Sequence, residues 1–285
     1  MCFSIQKIKI IKIILRKVTT LVMFSLCVST YLSAAFEHYP SNSAAVGSGL
    51  LTVNIYANAI GVFSDPASVT LFKKRNFAIS SGHRFGLRLL QHHSTAIAQP
   101  IKKGFIAVGA SFFGDKLYGE TIWCLAMGRK ISDKLNIGMG LMVYDLQIKN
   151  YGTTKNLGIN MGWRMKLNET LQWRGIWRNI NGPTIGKSKD AIPQIIVSAL
   201  VYNPLPKATV VIEWEQDTLY ESRLKFGGEF KLLPWVVIYT GHASSPNQTT
   251  AGLGIIYKHL NINYAVSTHS HLDLSHWFGV GLTIH

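Results

Sequence analysis

Between Asn156 and Leu167 every second residue is apolar (Leu157, Ile159, Met161, Trp163, Met165, Leu167). The residues between them are polar, basic or glycine (Asn156, Gly158, Asn160, Gly162, Arg164, Lys166). Side chains along a strand alternate across the sheet, so this is a strand with one apolar and one polar face. The pattern holds for twelve residues, where strands of soluble proteins run to about five or six. Such a segment meets two different solvents. The pattern recurs: Leu171, Trp173 and Trp177 alternate with Gln172, Arg174 and Arg178; Val210, Ile212 and Trp214 with Thr209, Glu213 and Glu215; Leu224, Phe226 and Phe230 with Arg223, Lys225, Glu229 and Lys231.

From residue 76 onward the chain divides into fourteen such stretches, at 76–82, 85–99, 104–113, 119–130, 135–148, 154–167, 170–180, 191–203, 207–217, 220–232, 235–243, 248–258, 260–268 and 275–284. Most match the ~9 to 11 residues with which a tilted strand crosses a bilayer. The links alternate between tight turns, such as Asn168 with Glu169 and Leu233 with Pro234, and more polar connections, of which Asn181 to Asp190 is the longest at ten residues. Short turns at one end and longer loops at the other are the pattern of an outer-membrane barrel. The expected fold is therefore all-β, a transmembrane antiparallel β-barrel of about fourteen strands, closed because lipid offers no partner to an open sheet edge. Alternation alone also suits a soluble sandwich. Strand length, the asymmetry of the links, the glycines Gly138, Gly140, Gly158 and Gly162 on the polar face, and an export signal favour the barrel.

That signal occupies residues 1–35. Five basic residues and no acidic one precede or flank the apolar run Val18 to Leu32, and Ser33, Ala34 and Ala35 supply small residues for cleavage. Its removal leaves 24 basic residues against 14 acidic, a net charge of about +10. These charges are spread among apolar residues on strands rather than gathered in one patch, which argues against a nucleic-acid partner. Cys124 is the one cysteine beyond the signal, so no intrachain disulfide is expected. Residues 36–75 form a separate segment whose apolar spacing from Leu50 to Phe63 fits helix or strand equally; a plug within the barrel and a cap at its end are both open. Residues 76–285 form the barrel.

Three stretches carry a resemblance. Ser64-Asp65-Pro66-Ala67-Ser68 resembles the Asn-Pro-Ala turn of the long-chain fatty-acid transporter (FadL-like) barrels and their PorV/PorQ-like relatives, with Asp65 where Asn is usual. Arg84-Phe85-Gly86-Leu87 and Phe113 to Glu120 resemble the early strands of the PorV/PorQ-like group. Tyr264 with His269, His271, Leu272, Asp273 and His276 resembles its last hairpin. The resemblance implies a fourteen-stranded barrel in a group whose members move hydrophobic compounds or serve protein export. Trp277 to Ile284 resembles the C-terminal signal read by the barrel-assembly machinery, with Leu282 and Ile284 where aromatics are usual.

His269, His271 and His276 with Asp273 have donor types for zinc or copper, but rim loops gather histidines for interfacial hydrogen bonds, and no metal site or other cofactor is expected. His92 and His93 are adjacent and point to opposite faces. Ser267, His269 and His271 share a parity without an orienting third group, so no enzyme is expected. The candidate lumen-lining residues are Asn160, Arg164, Lys166, Arg174, Arg178, Glu213, Glu215, Lys225 and Glu229; the candidate plug turn is Asp65, Pro66 and Ala67. In an open lumen their charges favour anions. In a filled one they form a buried ion network, the favoured reading for a barrel of this size. The expected location is the outer membrane of a Gram-negative-type bacterium, with its lipid as solvent. The expected function is passage of hydrophobic or small solutes, with a scaffold or shuttle for secreted proteins, as in type IX secretion, as the alternative.

Overall fold

The computed structural model describes residues 35–37, 39–102 and 104–284; the export signal, but for Ala35, lies outside them. The barrel strands are β1 (Arg75–His83), β2 (Gln91–Ile101), β3 (Gly104–Gly114), β4 (Tyr118–Lys130), β5 (Leu135–Ile148), β6 (Gly152–Lys166) and β7 (Leu171–Arg178). After a two-stranded ribbon of β8 (Thr184–Ile185) and β9 (Asp190–Ala191) follow β10 (Ile195–Leu205), β11 (Ala208–Asp217), β12 (Arg223–Leu233), β13 (Val236–Ala243), β14 (Gln248–Tyr257), β15 (Leu260–Ser267) and β16 (Ser275–Ile284). Each barrel strand pairs with its neighbour in sequence, antiparallel, and β1 closes on β16 in continuous register from Arg75 opposite Ile284 to His83 opposite His276.

The closed sheet removes the sandwich reading. All fourteen barrel strands carry at least one exposed large apolar side chain on their outward face, among them Ile79, Trp123, Met161, Ile212 and Phe278. Soluble monomers do not present an uninterrupted apolar ring of this extent. With every barrel strand paired to a neighbour on both sides around the closure, the ring can sit in hydrocarbon. The fold is a transmembrane fourteen-stranded antiparallel barrel.

The structure departs from the sequence expectation at two loops. The stretch 85–90 is not strand: it forms two three-residue 3-10 turns, Arg84–Gly86 and Arg88–Leu90, and β2 starts at Gln91. Phe85, Leu87 and Leu89 imitate a strand period, but positive φ at Phe85 (56°) and Gly86 (67°) turns the chain. The connection expected to span ten residues instead spans 179–194, because Asn179 and Ile180 leave the sheet and the ribbon adds its own pairing.

Residues 39–72 are mostly buried. A short helix, α1 (Ser43–Gly47), starts at Asn42, whose Oδ1 accepts the Ala44 N–H at 3.1 Å. Two 3-10 turns follow, Ala59–Phe63 capped by Asn58, and Pro66–Leu71 with proline at its first turn. Among the described residues the segment has no strand and no apolar stripe, because it is surrounded by protein on several sides. Helix α1 packs against β13 to β16, and Pro66–Leu71 against β3 to β6.

Candidate functional site

The inward face of the barrel is built in two halves. On β1 to β4 it carries a band of small apolar residues: Ala78, Ala96, Ala98, Ala107 and Ala126 are buried against Ile60, Val62, Phe63 and Val69 of the N-terminal segment, with buried Ser80, His92, Ser94, Ser111 and Glu120 toward the loop end and Asn76 toward the turn end. Sequence reasoning, looking for polar residues on this face, missed these alanines; their shared parity along four successive strands was the available signal.

On the opposite side the inward face is charged. Glu213 lies directly across the β11/β12 pair from Lys225, and Glu215 across from Arg223. Lys225 Nζ reaches Glu213 Oε1 at 3.0 Å and Glu215 Oε2 at 2.7 Å, and donates to Thr52 Oγ1 at 2.9 Å. The Glu213 carboxylate also accepts the backbone N–H groups of Thr52 at 2.9 and 3.0 Å and of Val53 at 2.9 Å, and Thr52 Oγ1 donates to Glu215 at 2.6 Å. All three ionised side chains are almost fully buried. Burying ions is tolerable only when each is paired and its remaining hydrogen-bond capacity is filled, and here the N-terminal backbone supplies part of that filling.

A second cluster lies on β6 and β7, where Arg164 and Arg174 face each other across the ladder. Like charges at such positions repel. Both guanidinium groups donate to one acceptor, the Asn54 carbonyl, at 2.7 and 3.1 Å. Asp65 supplies the nearby negative charge, and its Oδ2 accepts the Asn54 N–H at 3.3 Å. Burial pushes the Asp65 carboxyl above its ordinary range, and the two guanidinium groups draw it back only in part.

The Asp65-Pro66-Ala67 turn is buried and lies on β5 and β6 where these strands have glycine. A Cβ built on Gly138 would come within 2.5 Å of Pro66 C and Ala67 N, and one on Gly162 within 3.2 Å of Ala67 N. Gly138 and Gly162 are thus places where another backbone touches the wall, whereas Gly140 and Gly158 make room for the side chains of Met142 and Pro66 and of Tyr144 and Asn179.

Of the remaining candidate residues, Asn160 is fully buried, with Oδ1 accepting the Asn179 N–H at 2.9 Å. Arg178 is buried at the loop end of β7. Glu229 is half-buried, within 3.4 Å of Thr209 Oγ1. Lys166 does not line the interior: it is the last residue of β6, exposed at the turn end, where the strand has run past the enclosed region. His92 is buried and His93 exposed, as adjacent strand positions require. His276 Nδ1 lies 2.8 Å from Tyr264 Oη. Among the described residues no three His, Cys, Asp or Glu side chains are placed to hold a metal ion.

At the loop end, Glu37, Tyr39, Arg84, Asp217, Tyr220 and Arg223 surround a cavity of about 130 Å³. Tyr39 stacks on the buried Trp277 with ring centres 5.1 Å apart, and the Arg84 guanidinium lies 4.7 Å from the Tyr39 ring centre. Tyr220 Oη donates to Glu37 Oε1 at 3.0 Å. Charge and aromatic surface are arranged here around a small opening, with no nucleophile and base set among them.

No family model matches the sequence, and no curated protein is similar to it. Solved structures do share the fold. The toluene transporter TbuX of Ralstonia pickettii superposes with a TM-score of 0.63 at 9% identity, over 88% of this chain and 100% of that one. A FadL homologue of Pseudomonas aeruginosa gives 0.67 at 10% identity, over 88% and 100%. The Pseudomonas putida toluene transporter TodX gives 0.65 at 9% identity, over 87% and 100%. At this identity the likeness is one of architecture: the chain has the fourteen-stranded barrel fold of FadL-type hydrocarbon transporters.

Proposed function

We propose that this protein is an outer-membrane channel for small hydrophobic solutes, and that residues 36–75 form a plug whose local displacement opens the path. The observation that carries the reading is the way the N-terminal segment is held. Its backbone at Thr52, Val53 and Asn54 completes the hydrogen bonding of ionised side chains on the inward face. Its apolar side chains meet an alanine-lined wall opposite. Polar tethers fix a position, including one on β1 where Asn76 Oδ1 accepts the Ala59 N–H at 2.9 Å, while the band of alanines beside it leaves a side along which an apolar solute can pass without desolvating the two ion clusters. The fold shared with solved toluene transporters supports a solute of that class, and supports the outer membrane as its location.

The test is uptake of a radiolabelled monoaromatic hydrocarbon and of a medium-chain fatty acid into proteoliposomes, alongside planar-bilayer conductance. Uptake above protein-free vesicles, and a rise in conductance on deleting residues 41–72, are expected. A stoichiometric secreted protein retained through purification, with neither uptake nor conductance, would overturn the reading in favour of an export scaffold.

A further inference from the structure

The outer wall carries a groove in the half nearer the loops, where β16, β1, β2, β3 and β4 enclose about 470 Å³. Elsewhere the outward face carries many large apolar side chains, among them Leu157, Trp177, Ile196, Trp214 and Phe226. In the groove the outward positions are Ser81, Thr95, Ala110 and Thr121, with His93 and Phe112 between them and Ile79, Phe278 and Val280 at the edge. The depression lies where four small outward side chains adjoin one another, with His93 and Phe112 beside them. It opens toward the bilayer, so hydrocarbon is its natural filling.

What stands above it gives the filling a head. The 84–90 and 115–117 loops, which join strands of the groove, present exposed Arg88 and Lys116. Asp115, the acidic residue of those two loops, has its Oδ1 engaged by the N–H groups of Leu117 at 2.8 Å and Tyr118 at 3.1 Å. The face thus combines an apolar slot at acyl-chain depth with positive charge at headgroup depth, and long basic side chains can place their charge at the interface.

We propose that this groove is a binding site for an anionic phospholipid, one acyl chain lying against Thr95 and Ala110 and the phosphate held by Arg88 and Lys116. The site rests on the membrane-spanning barrel and not on the transport reading, so its fate and that of the channel are separable.

The test is native mass spectrometry of the protein in mild detergent with equal concentrations of phosphatidylglycerol and phosphatidylcholine. One retained phosphatidylglycerol, preferred by about tenfold, is expected. Ala110→Trp fills the slot and removes the adduct while leaving heat-modifiable migration intact; Thr95→Phe serves the same purpose if the first variant fails to fold. The pair Arg88→Gln and Lys116→Gln brings phosphatidylglycerol down to the level of phosphatidylcholine. Equal retention of the two lipids by the unaltered protein, or an adduct unchanged by filling the slot, overturns the proposal. So does a dimer of this chain that Ala110→Trp dissociates, since the occupant is then a second copy.

Discussion

Replacing Lys225 by methionine takes the nearest cation from two carboxylates. Glu213 and Glu215 are both almost fully buried; Glu213 loses its ion pair at 3.0 Å, and Glu215 loses the one at 2.7 Å while keeping Arg223 at 3.8 Å. Removing one member of such a cluster costs about 3 to 5 kcal/mol. Lys225→Met is expected to lower markedly the temperature at which the folded, fast-migrating form is lost on a denaturing gel. The triple change Lys225→Met, Glu213→Gln, Glu215→Gln recovers much of the loss, because neutral side chains can still accept from Thr52 and Val53. The control is Lys155→Ala: Lys155 also contacts a carboxylate at 3.0 Å, that of Asp145, but is largely exposed, and surface pairs are worth at most about 1 kcal/mol. Equal thermal loss in Lys225→Met and Lys155→Ala would show that the buried cluster is not formed.

At the scale of the strand, β6 gives the sharpest contrast between faces. Met161 is exposed on the outer wall and Asn160, its neighbour, fully buried. A basic residue near the bilayer midplane on the lipid face costs about 2 to 4 kcal/mol, so Met161→Arg is expected to reduce the assembled fraction sharply, and Tyr151→Arg, at an exposed loop position, to leave it unchanged. Sequence periodicity suggests that Asn160→Arg is tolerated because the inward face is polar. The structure predicts otherwise, since Asn160 is enclosed and bonded to Asn179, and its larger replacement has nowhere to go. Gly138→Val tests the same crowding on β5, where a Cβ meets the Pro66-Ala67 backbone at 2.5 Å; overpacking of this kind costs about 1 to 3 kcal/mol and should expose residues 64–72 to protease. What the sequence made legible follows from these cases. A strand between lipid and a polar interior writes its two environments into alternate residues, so faces and strand number were readable. Residues 50–63 meet protein on several sides, so burial leaves no period, and their fit to the wall depends on pairs such as the Asn54 carbonyl with Arg164 and Arg174, which lie 110 and 120 residues apart. Arg84 to Leu90 failed for the opposite reason: the apolar period is present, but positive φ at two residues overrides it.

For the molecule as a whole the question is whether the N-terminal segment moves relative to the barrel when solute passes. Ser43 begins α1, and Gly279 lies on the inward face of β16; a Cβ on Gly279 would be 3.4 Å from the Ser43 Cβ. That separation is close to the ~3.5 to 4.5 Å between the Cβ atoms of a disulfide. Cys124 does not compete, because it is buried on β4 against the Val62 carbonyl. Ser43→Cys with Gly279→Cys is therefore expected to form a bond on oxidation and to fasten the segment to the wall at a point distant in sequence from both ion clusters. The oxidised form should resist loss of the folded species at higher temperature than the reduced one. If displacement of the segment opens the path, oxidation also lowers hydrocarbon uptake and reductant restores it. Uptake that is the same before and after oxidation, with the bond shown to be complete by mass, would mean that this end of the segment is a fixed part of the wall. The path would then run along the alanine face of β1 to β4 past a stationary Ser43, and the moving part would have to be sought among residues 50–72.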